Sequence, residues 1–142
     1  MASPVKFYCY PEDKFSGLHA FGTDTIKVAL TNTLPDETVD ELLADLTEIA
    51  ATGGYAAGGY SLGVITVSRA GADSKVVIPD KTITASGGSV GPFRYYALQN
   101  SSKTGGPLIS FFDNGSSITL ADGESILLDF DGSNGAITDS AV

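Results

Sequence analysis

Tryptophan is absent from this chain, and cysteine, methionine and histidine occur once each. Bases number eight against 17 acids, so 142 residues carry a net charge of −9. Each scarcity excludes something. The single cysteine, Cys9, cannot close an intramolecular disulfide, so no disulfide framework holds the fold. The single histidine, His19, has no second His or Cys to complete a zinc ligand set. The bases are scattered (Lys6, Lys14, Lys27, Arg69, Lys75, Lys81, Arg94, Lys103) and form no clustered basic surface of the kind a phosphate backbone requires. Nucleic acid is therefore not an expected partner. No Lys or Arg stands between 28 and 68 or between 104 and 142, and each of those stretches holds six acids. They read as solvated surface, or as an acidic face that docks on a basic one. No apolar run approaches the roughly 18 residues of a membrane span. The opening stretch MASPVKFYCYPEDK has none of signal-peptide length, so the reading is a protein made in a cytoplasm with no membrane partner.

What is present points to β-structure. A hydrophobic content of 42% with seven Phe and six Tyr is too apolar for a disordered acidic tail. Glycine, serine and threonine make up about a third of the chain, which suits many turns and short strands better than a helical bundle. The length fits a single β-rich domain over 1–142, with an N-terminal arm at 1–10. Strands are expected at 5–10, 25–31, 60–68, 75–78, 81–85, 93–99, 107–112, 117–120 and 125–130, with a short last one at 136–138. One segment changes period. Val39, Leu42, Leu43 and Leu46 fall at i, i+3, i+4 and i+7, which predicts a short α-helix over about 36–48, with Thr33 or Asp36 as its cap. The Asn114-Gly115 and Asp122-Gly123 pairs predict two-residue hairpin turns. The expected fold is mostly β: an antiparallel β-sandwich or jelly roll with that one helix.

Sequence motifs for catalysis fail on context. Gly59-Tyr60-Ser61-Leu62-Gly63 matches the G-x-S-x-G elbow, yet a glycine loop precedes Ser61 and a β-rich run follows it. His19 also comes before the serine, against the order of that triad. Residues 53–59 lack the Gly-Lys-Ser/Thr ending of a phosphate loop and lead into a strand. Asp129, Asp131, Ser133 and Asn134 begin like a calcium loop but lack its glycine and its closing acid, so they read as a turn with solvated acids, with calcium binding as the minor alternative. No enzyme activity, metal or cofactor is expected. Cys9, between Tyr8 and Tyr10, reads as a small apolar filler. Arg94 stands in an apolar, aromatic strand, where an arginine needs a carboxylate or several carbonyls. A hairpin of 92–99 with 107–113 brings Asp113 to it, and an Arg94–Asp113 structural clamp is expected.

Several separated blocks carry a resemblance. They are Gly17-Leu18-His19-Ala20-Phe21, Asp24-Thr25-Ile26-Lys27-Val28-Ala29-Leu30, Leu42-Leu43-Ala44-Asp45-Leu46-Thr47-Glu48-Ile49 and Gly53-Gly54-Tyr55-Ala56-Ala57-Gly58-Gly59. Two more follow: Ala85-Ser86-Gly87-Gly88-Ser89-Val90-Gly91-Pro92-Phe93-Arg94-Tyr95 and Leu108-Ile109-Ser110-Phe111-Phe112-Asp113-Asn114-Gly115-Ser116-Ser117. In this order, over about 17–130, they resemble small structural proteins of tailed bacteriophages, of the head decoration (cement) type. Where that family commonly has tryptophan before the Ala-Ser-Gly-Gly block, this chain has Ile83-Thr84. The resemblance implies a non-enzymatic virion component, synthesised in the host cytoplasm; it does not by itself fix the place on the particle, and the outer head surface is the favoured one. It also implies the major capsid protein as partner and a homo-oligomer, typically a trimer. A tail, neck or fibre component is the rival within the virion, and a carbohydrate-binding β-sandwich is the rival outside that class. Phe7, Tyr8, Tyr10, Tyr55 and Tyr60 are the candidate interface residues, because tyrosine offers large contact area with a polar tip.

Overall fold

The computed structural model describes residues 3–132 and 135–141. The described chain is mostly β, with one short helix. The strands are β1 (Val5–Lys6), β2 (Ile26–Thr31), β3 (Tyr60–Ser61), β4 (Thr66–Ala70), β5 (Asp73–Val77), β6 (Lys81–Thr84), β7 (Val90–Asn100), β8 (Leu108–Leu120), β9 (Ser125–Leu128) and β10 (Ile137–Ser140). The helix is α1 (Cys9–Phe15). All pairings are antiparallel. They form a five-stranded sheet in the order β1-β8-β7-β2-β3, a three-stranded sheet β10-β5-β4 and a two-stranded sheet β6-β9.

The large sheet is covered on both faces, and its side-chain alternation shows how. On β7, Tyr96 and Leu98 point to one side and Tyr95 and Ala97 to the other, as the pleat requires. The first side meets Val76 of β5, Ile83 of β6, Leu128 of β9 and Ile137 of β10, making the main sandwich core. Tyr96, Phe112 and Phe130 mark its centre. Tyr96 and Phe112 stack at 5.1 Å, and Phe130 meets both edge-on at 6.2 and 5.5 Å. Each such buried aromatic stabilises the fold by roughly 1.5–3 kcal/mol through the apolar area it removes from water. The second side holds a smaller core of Phe7, Tyr95, Ala97, Leu108 and Phe111, roofed in part by Cys9 and Leu46. A strand buried on both faces loses the apolar–polar alternation, which is why 95–98 reads as a nearly continuous apolar run.

Four expectations from the sequence need correction. No α-helix forms over 36–48; the segment is an irregular strap with a single 3₁₀ turn at Leu43–Asp45. Its apolar stripe has too little surface to bury against, since Val39 and Leu42 stay 66% and 41% exposed. Its acids instead bind its own backbone amides. Asp36 Oδ1 accepts from Thr38 N at 3.0 Å, Asp40 Oδ2 from Asp36 N at 2.8 Å, and Asp45 Oδ2 from the amides of Glu41 and Leu42, both at 3.0 Å. Such local acceptors compete with the helical bond pattern. The strap is also tied outward: Leu108 N donates to Glu41 O and Ile49 N to Leu30 O.

The strand expected at 5–10 stops at Lys6 and becomes α1. Pro11 and Glu12 sit in its first turn and Lys14 in its last. Gly17, at φ +76°, ends it in a Schellman motif, with Leu18 N donating to Asp13 O and Gly17 N to Lys14 O. The run expected at 60–68 is broken at 62–65 into β3 and β4.

The Asn-Gly and Asp-Gly pairs turn the chain without making the expected hairpins. Asn114-Gly115 lies inside β8. Phe93 pairs with Ile118 and Tyr95 with Asp113, so residues 114–117 bulge out opposite Arg94 and β8 then resumes its pairing with β7. Asp122-Gly123 turns from β8 to β9, which belong to different sheets.

Candidate functional site

The strap, α1 and the turn between β7 and β8 enclose an open cleft of about 610 Å³. Its apolar lining comes from Tyr8, Leu18, Leu42 and Pro107, and its acids from Glu12, Asp13 and Glu41, with Lys103 as the basic group. Each wall is built locally. Tyr8 N donates to Glu37 O at 2.8 Å, fixing the start of α1 against the strap. Leu43 N donates to the carbonyls of Gly105 and Gly106 at 3.2 and 3.0 Å, fixing the strap against the β7–β8 turn. Asp45 holds the amides of Glu41 and Leu42, so their side chains stand at the cleft in a fixed backbone frame. Among the large apolar side chains here, Tyr8 is 68% exposed. Phe15, at the far end of α1, is 86% exposed.

Cys9 lies at the foot of this cleft. Burial, reinforced by the carboxylates of Asp13, Glu41 and Asp45, pushes its thiol up to about 11. A thiol held protonated this firmly is a poor nucleophile, and Cys9 packs against the second core as a small apolar group.

The five candidate interface residues separate. Phe7, Tyr10 and Tyr55 are buried in the core, and Tyr60 is half-buried and packs against it. Only Tyr8 is free to meet a partner from the folded chain. The N-terminal segment from Val5 onward is likewise no free arm: β1 pairs with β8, and Phe7 N donates to Ile109 O. Leu42, Glu41, Leu18 and Pro107, which complete the cleft around Tyr8, were not legible as site residues. The spacing of Leu42 with Val39, Leu43 and Leu46 reads as one apolar stripe of a helix. The available signal was Asp36-Glu37-Thr38, whose Asp–Thr spacing favours a turn closed by the aspartate side chain.

The glycine–tyrosine loop is a structural latch. Tyr55 donates its hydroxyl to Glu48 Oε1 and accepts from Leu30 N at 3.0 Å. Gly58 N adds a second bond to Glu48 Oε1 at 2.8 Å, and Gln99 Nε2 reaches Gly58 O at 2.9 Å. Burial and the Glu48 carboxylate raise the Tyr55 phenol far above its usual range. The loop lies so close to β2 that a Cβ on Gly59 would stand 1.9 Å from Val28 O.

Arg94 and Asp113 do pair, as two parallel bonds from Nε to Oδ1 (2.8 Å) and from the second terminal nitrogen to Oδ2 (3.1 Å). Both side chains are about two-fifths exposed, so the clamp sits on the surface. It draws the Asp113 carboxyl below the usual range and raises the arginine.

His19 is held among Tyr10, Phe21 and Asn100. Its ring lies 5.5 Å from Tyr10 and 5.7 Å from Phe21, and Nδ1 lies 3.1 Å from Asn100 Nδ2. Asn100 also donates to Asp24 Oδ2 at 2.8 Å. Ser61 lies in β3, paired with Lys27, rather than on a strand-to-helix turn. Among the described residues, no group of three or more His, Cys, Asp or Glu side chains could hold a metal ion. Ser133 and Asn134, part of the calcium-like run, lie outside the described residues. No known protein family, no curated protein and no solved structure matches this chain.

Proposed function

We propose that this protein is a non-enzymatic structural component of a tailed-bacteriophage virion, a decoration protein that binds the outside of the head and stabilises it. The cleft around Tyr8 and Leu42 is its docking surface for the major capsid protein. The observation that carries this assignment is the composition of the cleft. An exposed tyrosine and apolar walls stand beside Glu12, Asp13 and Glu41, on a chain of net charge −9. A partner segment that fits it presents a Lys or Arg next to an apolar side chain. The apolar group fills the space between Tyr8 and Leu42, and the base meets the rim acids. Aromatic anchors of this kind carry most of the energy at interfaces, while surrounding charges set encounter rate and register. The resemblance of the sequence blocks, in their order, to head decoration proteins supports the same assignment. Attachment of many copies across subunit boundaries then stabilises a shell through summed small interfaces.

Binding to bare heads tests this. Purified protein is mixed with undecorated capsids and co-sedimented over a salt series. Wild-type protein is expected to bind, and more weakly as salt rises, because the acidic rim is screened. Tyr8→Ser is expected to lose most binding at every salt concentration. Glu41→Lys is expected to weaken it most at low salt. Equal binding by all three proteins would remove the cleft from the account, and no binding by the wild type would remove the decoration reading itself.

A further inference from the structure

Most residues of the β4–β5 hairpin are exposed. Val64 is 85% exposed and Val67 55%, and Thr66, Arg69, Ala70, Asp73 and Ser74 are exposed as well. β4 is the outer strand of its three-stranded sheet, paired with β5 on one side in an unbroken register from Thr66↔Val77 to Ala70↔Asp73. Among the described residues, no backbone hydrogen bond reaches 64–70 from the other side. At five residues it is the longest edge strand of the described chain. The edges of the large sheet, β1 and β3, are two residues each. The opposite edge of its own sheet, β10, is crossed by Lys6, whose Nζ donates to Thr138 O, and by the Lys14–Asp139 ion pair.

Open edge strands are ordinarily blunted by proline, by bulges, by several charges or by shortness. β4 has none of these except the single charge of Arg69. A row of unpaired amides and carbonyls flanked by exposed valines selects an extended strand as its partner.

We propose that the outer edge of β4 pairs with β4 of a second copy of this chain, in antiparallel register about a two-fold axis at Val67 or Ser68. Charge opposes self-contact less here than on the acidic rest of the chain. The chain as a whole is strongly acidic, yet residues 66–77 carry Arg69 and Lys75 against Asp73 alone. Two copies can meet here without setting acid against acid. Neither register sets like charges directly opposite: with Val67 on the axis Arg69 faces Ile65, and with Ser68 on the axis it faces Val67, the two Arg69 then lying diagonally across one face. The joint covers Val67 and, with the axis at Val67, sets Val64 opposite Ala70. Two three-stranded sheets become one of six strands, closed by symmetry and leaving no further β4 edge.

The test is sedimentation of the full chain over a concentration series, with Val67→Lys beside the wild type. This substitution sets Lys against Lys in one register and Lys against Arg69 in the other, at a side chain already half in solvent. The wild type is expected to sediment as a dimer, and Val67→Lys as a monomer with an unchanged circular dichroism spectrum. Val67→Cys and Ser68→Cys, oxidised separately with the wild type as control for Cys9, add a readout independent of that variant's folding. One of the two is expected to cross-link to itself efficiently. A monomeric wild type, a trimer, a dimer indifferent to Val67→Lys, or no self-cross-link at either position would each overturn the proposal. The outcome is independent of head binding, since the capsid cleft lies on other elements.

Discussion

Arg94 grips Asp113 with two parallel hydrogen bonds at the point where β8 leaves its pairing with β7, so the pair closes the base of the 114–117 bulge. Asp113 Oδ1 also accepts from Gly115 N at 2.7 Å, which shapes the bulge from inside. The carboxylate thus serves the strand register and the turn together. A double-mutant cycle of Arg94→Ala and Asp113→Ala is expected to show favourable coupling that shrinks as salt is added, as for other surface pairs. Asp113→Ala alone is expected to cost more than Arg94→Ala, because it also frees the Gly115 amide. Additive effects in chemical denaturation would show that the clamp holds nothing.

Gly59 and Gly54 share a left-handed φ, +93° and +94°, but differ in their surroundings. A Cβ at Gly59 would collide with the Val28 carbonyl, whereas at Gly54 nothing lies within 4 Å. Gly54→Ala is therefore expected to cost only the backbone strain, about 1–2 kcal/mol. Gly59→Ala adds a displacement of β2 and is expected to cost about 3 kcal/mol or more. Equal losses in urea titration would mean that close packing of the loop on β2 plays no part.

Tyr55→Phe keeps the ring and removes the hydroxyl shared between Leu30 N and Glu48. The Leu30 amide, in a strand with no exposure at that residue, is left without its side-chain acceptor. A loss of about 1–3 kcal/mol is expected, the range for a buried group stripped of its partner. Thermal unfolding of the variant measures it, and an unchanged midpoint would contradict the latch.

The pH dependence has two steps. Burial, with a smaller contribution from Lys103, holds His19 below its usual value, against the opposing carboxylates of Asp13 and Asp24. The fold therefore favours neutral His19. Stability is full above the unfolded pKa of about 6.5 and falls as pH drops from there through the lowered folded value. The Asn100 side chain and the Ala20 amide hold the Asp24 carboxyl down, and Lys14 does the same for Asp139. Their stabilisation is present above about pH 4 and lost as pH falls through their folded values. Melting temperatures across pH 3–8 are expected to show both declines, and His19→Asn to remove only the upper one.

Much of the fold was legible because strand signals are local. The alternation in Ile26–Thr31 and the apolar runs of β7 and β8 announced the sheets, and the Arg94–Asp113 pair followed from strand proximity. The helix was misplaced for a physical reason. Val39, Leu42, Leu43 and Leu46 have helical spacing, but a stripe forms a helix only where a surface awaits it. Here Asp36, Asp40 and Asp45 offered the backbone nearer partners. The real helix was announced by Pro11, Glu12 and Gly17, signs that a strand-like Phe7-Tyr8-Cys9-Tyr10 obscured. The tyrosines misled in the same way: aromatic content does not distinguish a core from an interface, and only Tyr8 proved free to meet a partner. The cleft itself joins residues 8, 42 and 107, a proximity that no local pattern encodes.

The most direct test of the account is to locate the protein on intact particles by cryo-microscopy, comparing virions with particles lacking it. The account predicts density of this β-sandwich repeated over the outer lattice of the head, with Tyr8 and Leu42 turned toward the capsid subunits. Density confined to the neck, tail or fibres, or none on the particle, would contradict it.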